Sequence, residues 1–317
     1  MTTLKAACAT RGHIYGPVPS RRLGYSLGVD ILPFKTCTLS CIYCQLGSVS
    51  DRVTVRKDYY DIEELLSQIQ SVLDSGRKID YFTFSGSGEP TLNSQIGQII
   101  LKLKQMSAIP VAVLTNSTTL IQREVRESLL PADLVVPSLD AVTPEIFNRI
   151  NRPDPSVHVE DVIQGLISFR QEFQGQIWLE IMLIKGVNDS EKHVDLLKQT
   201  ITLIKPDRIQ LNTVERPPAE LTAQPLTQEE MEKIRKVFGS QAEIITDFSK
   251  LQQPELSSDL GGAILSIIQR RPVTALDLKQ SLGRAGDEIE TCIRSLMASK
   301  KIKGIKHKGK TYYEPSS

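Results

Sequence analysis

"SLGVDILPFKTCTLSCIYCQLG", residues 26–47, joins a short apolar run to three closely spaced thiols. Residues 26–32 read as a strand. Cys37, Cys41 and Cys44 follow it with gaps of three and two residues, and an aromatic, Tyr43, stands directly before the last thiol. Barrel enzymes carry their chemistry on loops at the C-terminal ends of strands, which is where this loop falls. Three thiolates this close in sequence can wrap one iron–sulfur cube and leave one iron without a protein ligand. An open coordination position is one that binds something else. Structural zinc needs four ligands, and no cysteine or histidine stands at a matching spacing: Cys8 and Cys292 are remote, and His13 is the nearest histidine. A cluster therefore ranks ahead of zinc and of three unrelated buried thiols.

Outward from this stretch, short apolar runs alternate with amphipathic ones. Strands are expected at 80–86, 110–117, 133–140, 176–184, 207–214 and 242–246. Helices are expected at 61–76, 94–107, 122–130, 143–150, 157–173, 190–204 and 227–239. Thr143 with Pro144, and Thr227, mark helix starts. Strands separated by helices imply a parallel α/β sheet, either a partial or full barrel or a doubly wound fold. Residues 247–259, "DFSKLQQPELSSD", are polar with proline and serine, as in a linker. Three more helical stretches and a hairpin around Lys308-Gly309 then fit a winged helix-turn-helix. The expected division is a barrel over 1–246, a linker over 247–260 and a winged-helix module over 261–317.

The bulk numbers agree. The 317 residues carry a net charge of +1, and the length suits one large domain and one small one. Residues 261–317 hold eleven Lys and Arg against five Asp and Glu, a net of +6, which leaves −5 for the rest. A basic module on an acidic body suggests two jobs. No apolar run approaches the roughly 20 residues of a membrane helix, and "MTTLKAACATRGH" lacks a secretory core. A cytoplasmic protein without a membrane partner is expected, in a compartment where clustered thiols serve metals or catalysis.

The cysteine spacing with Tyr43 resembles the signature of radical S-adenosylmethionine (radical SAM) enzymes. That resemblance implies a partial (β/α)6 TIM-type barrel. It also implies a [4Fe–4S] cluster held by Cys37, Cys41 and Cys44, with S-adenosylmethionine on the fourth iron. The activity implied is that of an oxidoreductase or transferase: reductive cleavage of the cofactor to a 5′-deoxyadenosyl radical, driven by an electron donor such as flavodoxin or ferredoxin. Later strand ends fit the same family. "SGSGEP" (85–90) resembles its Gly-Gly-Glu-Pro loop, with Gly86, Gly88, Glu89 and Pro90 about the methionine ammonium. Asn116 would reach cofactor polar groups. Ser138 and Asp140 would line the ribose and carboxylate side, with Arg149 or Arg152 on the carboxylate. Glu180 would point inward, and Gly186 and Val187 would lie near adenine. Arg21, Arg22, Gln210 and Asn212 become substrate candidates.

"YGPVPSRRLGYSLGVDILPFK" (15–35) with "CIYCQLG" resembles a branch close to the wybutosine-type tRNA-modifying enzymes, the 4-demethylwyosine synthases. Those carry further cysteines for a second cluster, and this chain has none to spare. A tRNA-like substrate on the basic tail is the leading expectation, with Lys300, Lys301, Lys303, Lys306, Lys308 and Lys310 on phosphates and Tyr312 and Tyr313 stacked on bases. Two alternatives stay open: a protein or peptide substrate held by the tail, and a DNA-binding iron–sulfur sensor.

Overall fold

The computed structural model describes residues 13–20, 22–245 and 260–316. Cys8, Arg21 and residues 247–259 of the expected linker lie outside the described residues.

Eight strands form one sheet in sequence order. β1 (Ile14–Ser20) and β2 (Gly24–Val29) make an antiparallel hairpin. β3 (Tyr81–Phe84), β4 (Val111–Thr115), β5 (Leu134–Pro137), β6 (Gln176–Leu183), β7 (Arg208–Thr213) and β8 (Ala242–Ile244) each run parallel to the strand before. Helices α1 (Ile62–Asp74), α2 (Ile96–Met106), α3 (Arg123–Leu129), α4 (Pro144–Ile150), α5 (Val159–Glu172), α6 (Glu191–Ile204) and α7 (Gln228–Phe238) make the crossovers. Asp61 caps α1, and Thr227 with Glu230 forms a capping box on α7. β1 is an addition to the expected set. Its sequence, IYGPVPS, holds two prolines, which cannot donate to a ladder; β1 is an edge strand with a register shift between Tyr15 and Val18.

Side chains alternate between the two faces. Val113, Val135, Ile177 and Leu179 join the large core under the helices. Leu23, Ala112, Leu134, Val136 and Trp178 form a separate inner cluster. Arg22, just before β2, pairs with Glu180 on β6 and donates to Gln210 on β7 at 2.8 Å. In a flat sheet β2 and β6 would stand about 19 Å apart, four strands at ~4.8 Å each, too far for one side chain. The sheet is therefore rolled into an open barrel.

After the undescribed stretch come α8 (Leu260–Ile268), α9 (Ala275–Leu282), α10 (Gly286–Ala298), β9 (Ile302–His307) and β10 (Lys310–Pro315). β9 and β10 pair antiparallel, and Val273 bridges to Tyr313. Thr274 and Asp277 form a capping box on α9, and Gly283 ends it in a left-handed turn. Ile264, Ile268, Leu278, Ile293 and Ile302 centre a second core, which also takes in Val18 of β1. Among the described residues no helix is long and apolar enough to cross a membrane.

Candidate active site

The cysteine loop leaves β2 at the C-terminal end of the sheet and is stitched to its neighbours through the main chain. On one side Lys35 N–H donates to Ser87 O (2.7 Å) and Glu89 N–H to Thr36 O (2.9 Å). On the other, Ser40 N–H donates to Asn151 O (3.0 Å) and Ile42 N–H to Ile150 O (3.0 Å). Glu220 N–H closes over Ile42 O at 2.9 Å. The glycines of the "SGSGEP" loop answer to this close packing. A Cβ on Gly88 would sit 1.8 Å from Thr36 O, and Gly86 takes φ +132° against the Asp30 carboxyl.

Cys37, Cys41 and Cys44 are free thiols. Burial pushes Cys37 up to about 12, with the nearby Glu89 carboxylate adding to the rise. Burial likewise raises Cys41 well above the ordinary thiol range and raises Cys44. A bare pocket thus favours neutral thiols, and a cationic ligand is what makes them thiolates. Two amides reach the sulfurs: Asn116 Nδ2 lies 3.4 Å from Cys37 Sγ, and Asn151 Nδ2 lies 3.4 Å from Cys41 Sγ. Thr118 fixes Asn116 by donating its N–H (3.1 Å) and hydroxyl (2.7 Å) to Asn116 Oδ1. Sequence reasoning missed Asn151. Its only local mark is a position at the C-terminal end of α4, which carries no hint of sulfur.

Tyr43, Asn116, Ser138, Asp140 and Asn151 line one void of about 10 Å³ behind the loop. Asp140 accepts from Tyr43 Oη (2.5 Å), Asn151 Nδ2 (2.7 Å) and Met182 N–H (2.9 Å). Burial raises its pKa, and the Tyr43 hydrogen bond opposes that rise. Its oxygens are thus committed to the protein, where the resemblance had pointed them at the cofactor. Glu89 is likewise turned inward. It caps the short 3-10 turn Pro90–Leu92 and accepts from Thr91 N–H (3.1 Å), Thr91 Oγ1 (2.6 Å), Thr115 Oγ1 (2.7 Å) and Asn116 N–H (2.6 Å).

Glu180 stands beside this cluster, its carbonyl accepting from Leu139 N–H at 2.9 Å and its charge adding to the rise of the Asp140 pKa. Arg22, Glu180, Gln210 and Asn212 bond one another within the rolled sheet, with Asn212 Nδ2 to Glu180 at 2.9 Å and Gln210 Nε2 to Glu243 at 2.9 Å. These contacts join them across the inside of the barrel, and Asn212 Oδ1 is buried with no partner among the described residues. Gly186, φ +70°, forms an exposed turn with Val187 beyond β6. Arg149 is exposed on α4, and Arg152 pairs with Glu220. Tyr312 is buried, and its hydroxyl donates to Glu215 O at 3.1 Å, which takes it from the expected stacking role.

The donor set fits an iron–sulfur cube. Three thiols share one loop, two amides address two of them, and the buried oxygen Asn151 Oδ1 has no partner among the described residues.

Such a loop at the mouth of an open barrel has the three-thiol pattern of an iron–sulfur enzyme. The Radical SAM superfamily model matches residues 31–197. UPF0026 protein MJ1312 of Methanocaldococcus jannaschii is 30% identical over 308 residues, 94% of each chain. The chain belongs to the radical SAM superfamily and to the UPF0026 family, and its cofactors are a [4Fe–4S] cluster and S-adenosylmethionine. A radical SAM methyltransferase from Sphaerobacter thermophilus shares the fold, with a TM-score of 0.53 and 17% identity over 69% of this chain and 66% of that one. The chain is also 37% identical over 296 residues to GTPase Obg of Brachyspira hyodysenteriae, but spans only 43% of that protein's length and 92% of its own. Residues 304–311, GIKHKGKT, satisfy the spacing of a phosphate-binding loop. They lie on the β9–β10 hairpin, and among the described residues no helix follows them to face a phosphate.

Proposed function

We propose that this radical SAM enzyme acts on RNA, a tRNA-like substrate, presented by a winged-helix module over residues 261–317. The module reading draws on three helices, the strand segment at Val273 between the first two, and the terminal hairpin. The observation that carries the RNA reading is the cluster of lysines about the hairpin. Lys300, Lys301, Lys306 and Lys310 are exposed and make no ion pair among the described residues, whereas Lys303 and Lys308 are paired to Glu314 (3.1 Å) and Glu215 (3.0 Å). Unpaired ammonium groups on and beside this hairpin suit a phosphate backbone. DNA is less well served. The third helix of such a module enters the major groove by its N-terminal residues, and here α10 begins with exposed Asp287, Glu288 and Glu290.

When bound, the cofactors supply a radical hydrogen-abstracting chemistry. The chain's own residues hold the cluster loop, fix the amides on two sulfurs and pack the barrel below. The electron comes from a donor of the flavodoxin or ferredoxin kind. A second reading, a protein or peptide substrate, has a cavity of about 650 Å³ behind it, between β10, the start of α9 and the ends of β7 and β8.

The test is retention of bulk tRNA by the holoenzyme at increasing salt. Affinity should fall linearly on a log–log plot, and Lys300, Lys301, Lys306 and Lys310 to Ala should reduce the slope by about 0.9 for each phosphate no longer neutralised. Salt-independent binding, or none, rejects the RNA reading.

A further inference from the structure

The loop Ser85–Gly86–Ser87–Gly88 is not held by the barrel alone. Asp30, just past β2, accepts from Ser87 N–H (3.1 Å) and Ser87 Oγ (2.6 Å). The same carboxylate meets Arg270 of the C-terminal module, Nε to Oδ2, at 3.1 Å. Both side chains are almost wholly buried, 3% and 5% exposed. Arg270 also donates to Ser266 O (2.8 Å) and lies over the Tyr15 ring at 4.7 Å, and Tyr15 Oη is 2.7 Å from Ser85 Oγ. Arg270 thus backs both residues that pin this loop, Asp30 on Ser87 and Tyr15 on Ser85. Gly86 between them could carry no side chain, because its Cβ would fall 2.6 Å from the Asp30 carboxyl carbon. On the loop's other side Ser87 O receives Lys35 N–H, two residues before Cys37.

Mere adhesion between two modules does not need this arrangement. An apolar pair of similar size in a buried site is as good as an ion pair or better. What an ion pair adds is direction: a guanidinium fixes the orientation of a carboxylate, and that carboxylate fixes Ser87.

We propose that Arg270 and Asp30 are positioning residues for the S-adenosylmethionine loop, so that seating of the C-terminal module on β1 sets the affinity of the barrel for its cofactor. This rests on reading residues 85–90 as the loop that meets the methionine end of the cofactor. A substrate that shifts the module would then alter cofactor affinity by the same factor by which cofactor alters substrate affinity.

The experiment is equilibrium dialysis of labelled S-adenosylmethionine against anaerobically reconstituted holoenzyme, with iron content and thermal melting recorded for each variant. Arg270→Met should weaken cofactor binding about tenfold, the effect of removing one charge-assisted hydrogen bond from the relay, while iron content stays at the wild-type value. Asp30→Asn should do the same, and Arg270→Met added to Asp30→Asn should cost less than the two losses summed, the remainder being the route through Tyr15. Arg270→Lys keeps the charge and should recover most of the affinity. Cofactor affinity within twofold of wild type in an iron-replete Arg270→Met protein overturns the proposal. If Arg270→Met does not fold, Asp30→Asn decides. A tenfold loss in the iron-replete protein supports the relay, and affinity within twofold of wild type overturns it. Wild-type holoenzyme that binds no cofactor rejects the reading of the loop instead.

Discussion

Asn116 offers a direct handle on the cluster. Its Nδ2 lies 3.4 Å from Cys37 Sγ, and its other side-chain partners, Thr38 and Thr118, are neutral, so Asn116→Leu removes a donor without moving a charge. Hydrogen bonds to cluster sulfurs stabilise the electron-rich, reduced state more than the oxidised one. If one N–H···S bond is stronger by about 1 kcal/mol in the reduced state, the midpoint potential falls by about 40 mV on its removal, at 59 mV per tenfold for one electron. Asn151→Leu removes the second such bond, but it also strips a donor from Asp140, which makes Asn116 the cleaner site. The assay is an oxygen-free redox titration of the reconstituted cluster followed by electron paramagnetic resonance. A potential that is unchanged or raised in Asn116→Leu, with full iron content, would refute the reasoning, because the amide would then not address the cluster-bound sulfur.

Gly88→Ala should cripple iron loading, measured as iron per chain, because the added carbon meets Thr36 O beside Cys37; Gly76→Ala, where nothing lies within 4 Å, should load normally. Arg22→Met should destabilise the iron-free protein by about 3 kcal/mol in urea melts by stranding Glu180, and Arg22→Met/Glu180→Leu should restore much of it. His193 is buried, and burial lowers its pKa below the ordinary 6.5. The unfolded chain therefore takes up a proton near pH 6.5 that the folded chain refuses. Stability from this group is full above that value and is lost as pH falls toward the folded pKa. His193→Leu should flatten the decline of melting temperature between about pH 7 and 5; an unchanged slope would assign that decline to other groups, such as His13, whose pKa burial also lowers.

The cysteine loop and the strand–helix alternation were legible because both are local: a spacing of three and two, and apolar periods of two and 3.6. β1 was hidden because prolines argue against a strand unless it is an edge, and which strand lies at an edge is a tertiary fact. The inward turn of Glu89 had a sequence signal, a polar residue just before proline at a turn start, which the pull of the family loop obscured. Arg22, Glu180, Gln210 and Asn212 were recognised as polar and inward. That they bond one another depends on the roll of the sheet, which no window of sequence encodes. Asn151 and Arg270 were invisible for the same reason: each acts on a partner far along the chain.

Val18 and Tyr15 lend their side chains to the core of the C-terminal module while their backbones complete the sheet of the barrel. One strand is thus shared by two hydrophobic interiors. Inheritance follows from this. A gene rearrangement that grafted a foreign C-terminal module onto this barrel would inherit a strand shaped for the wrong tenant, so substitutions near positions 15–18 and in α8 should be found changing in concert across relatives.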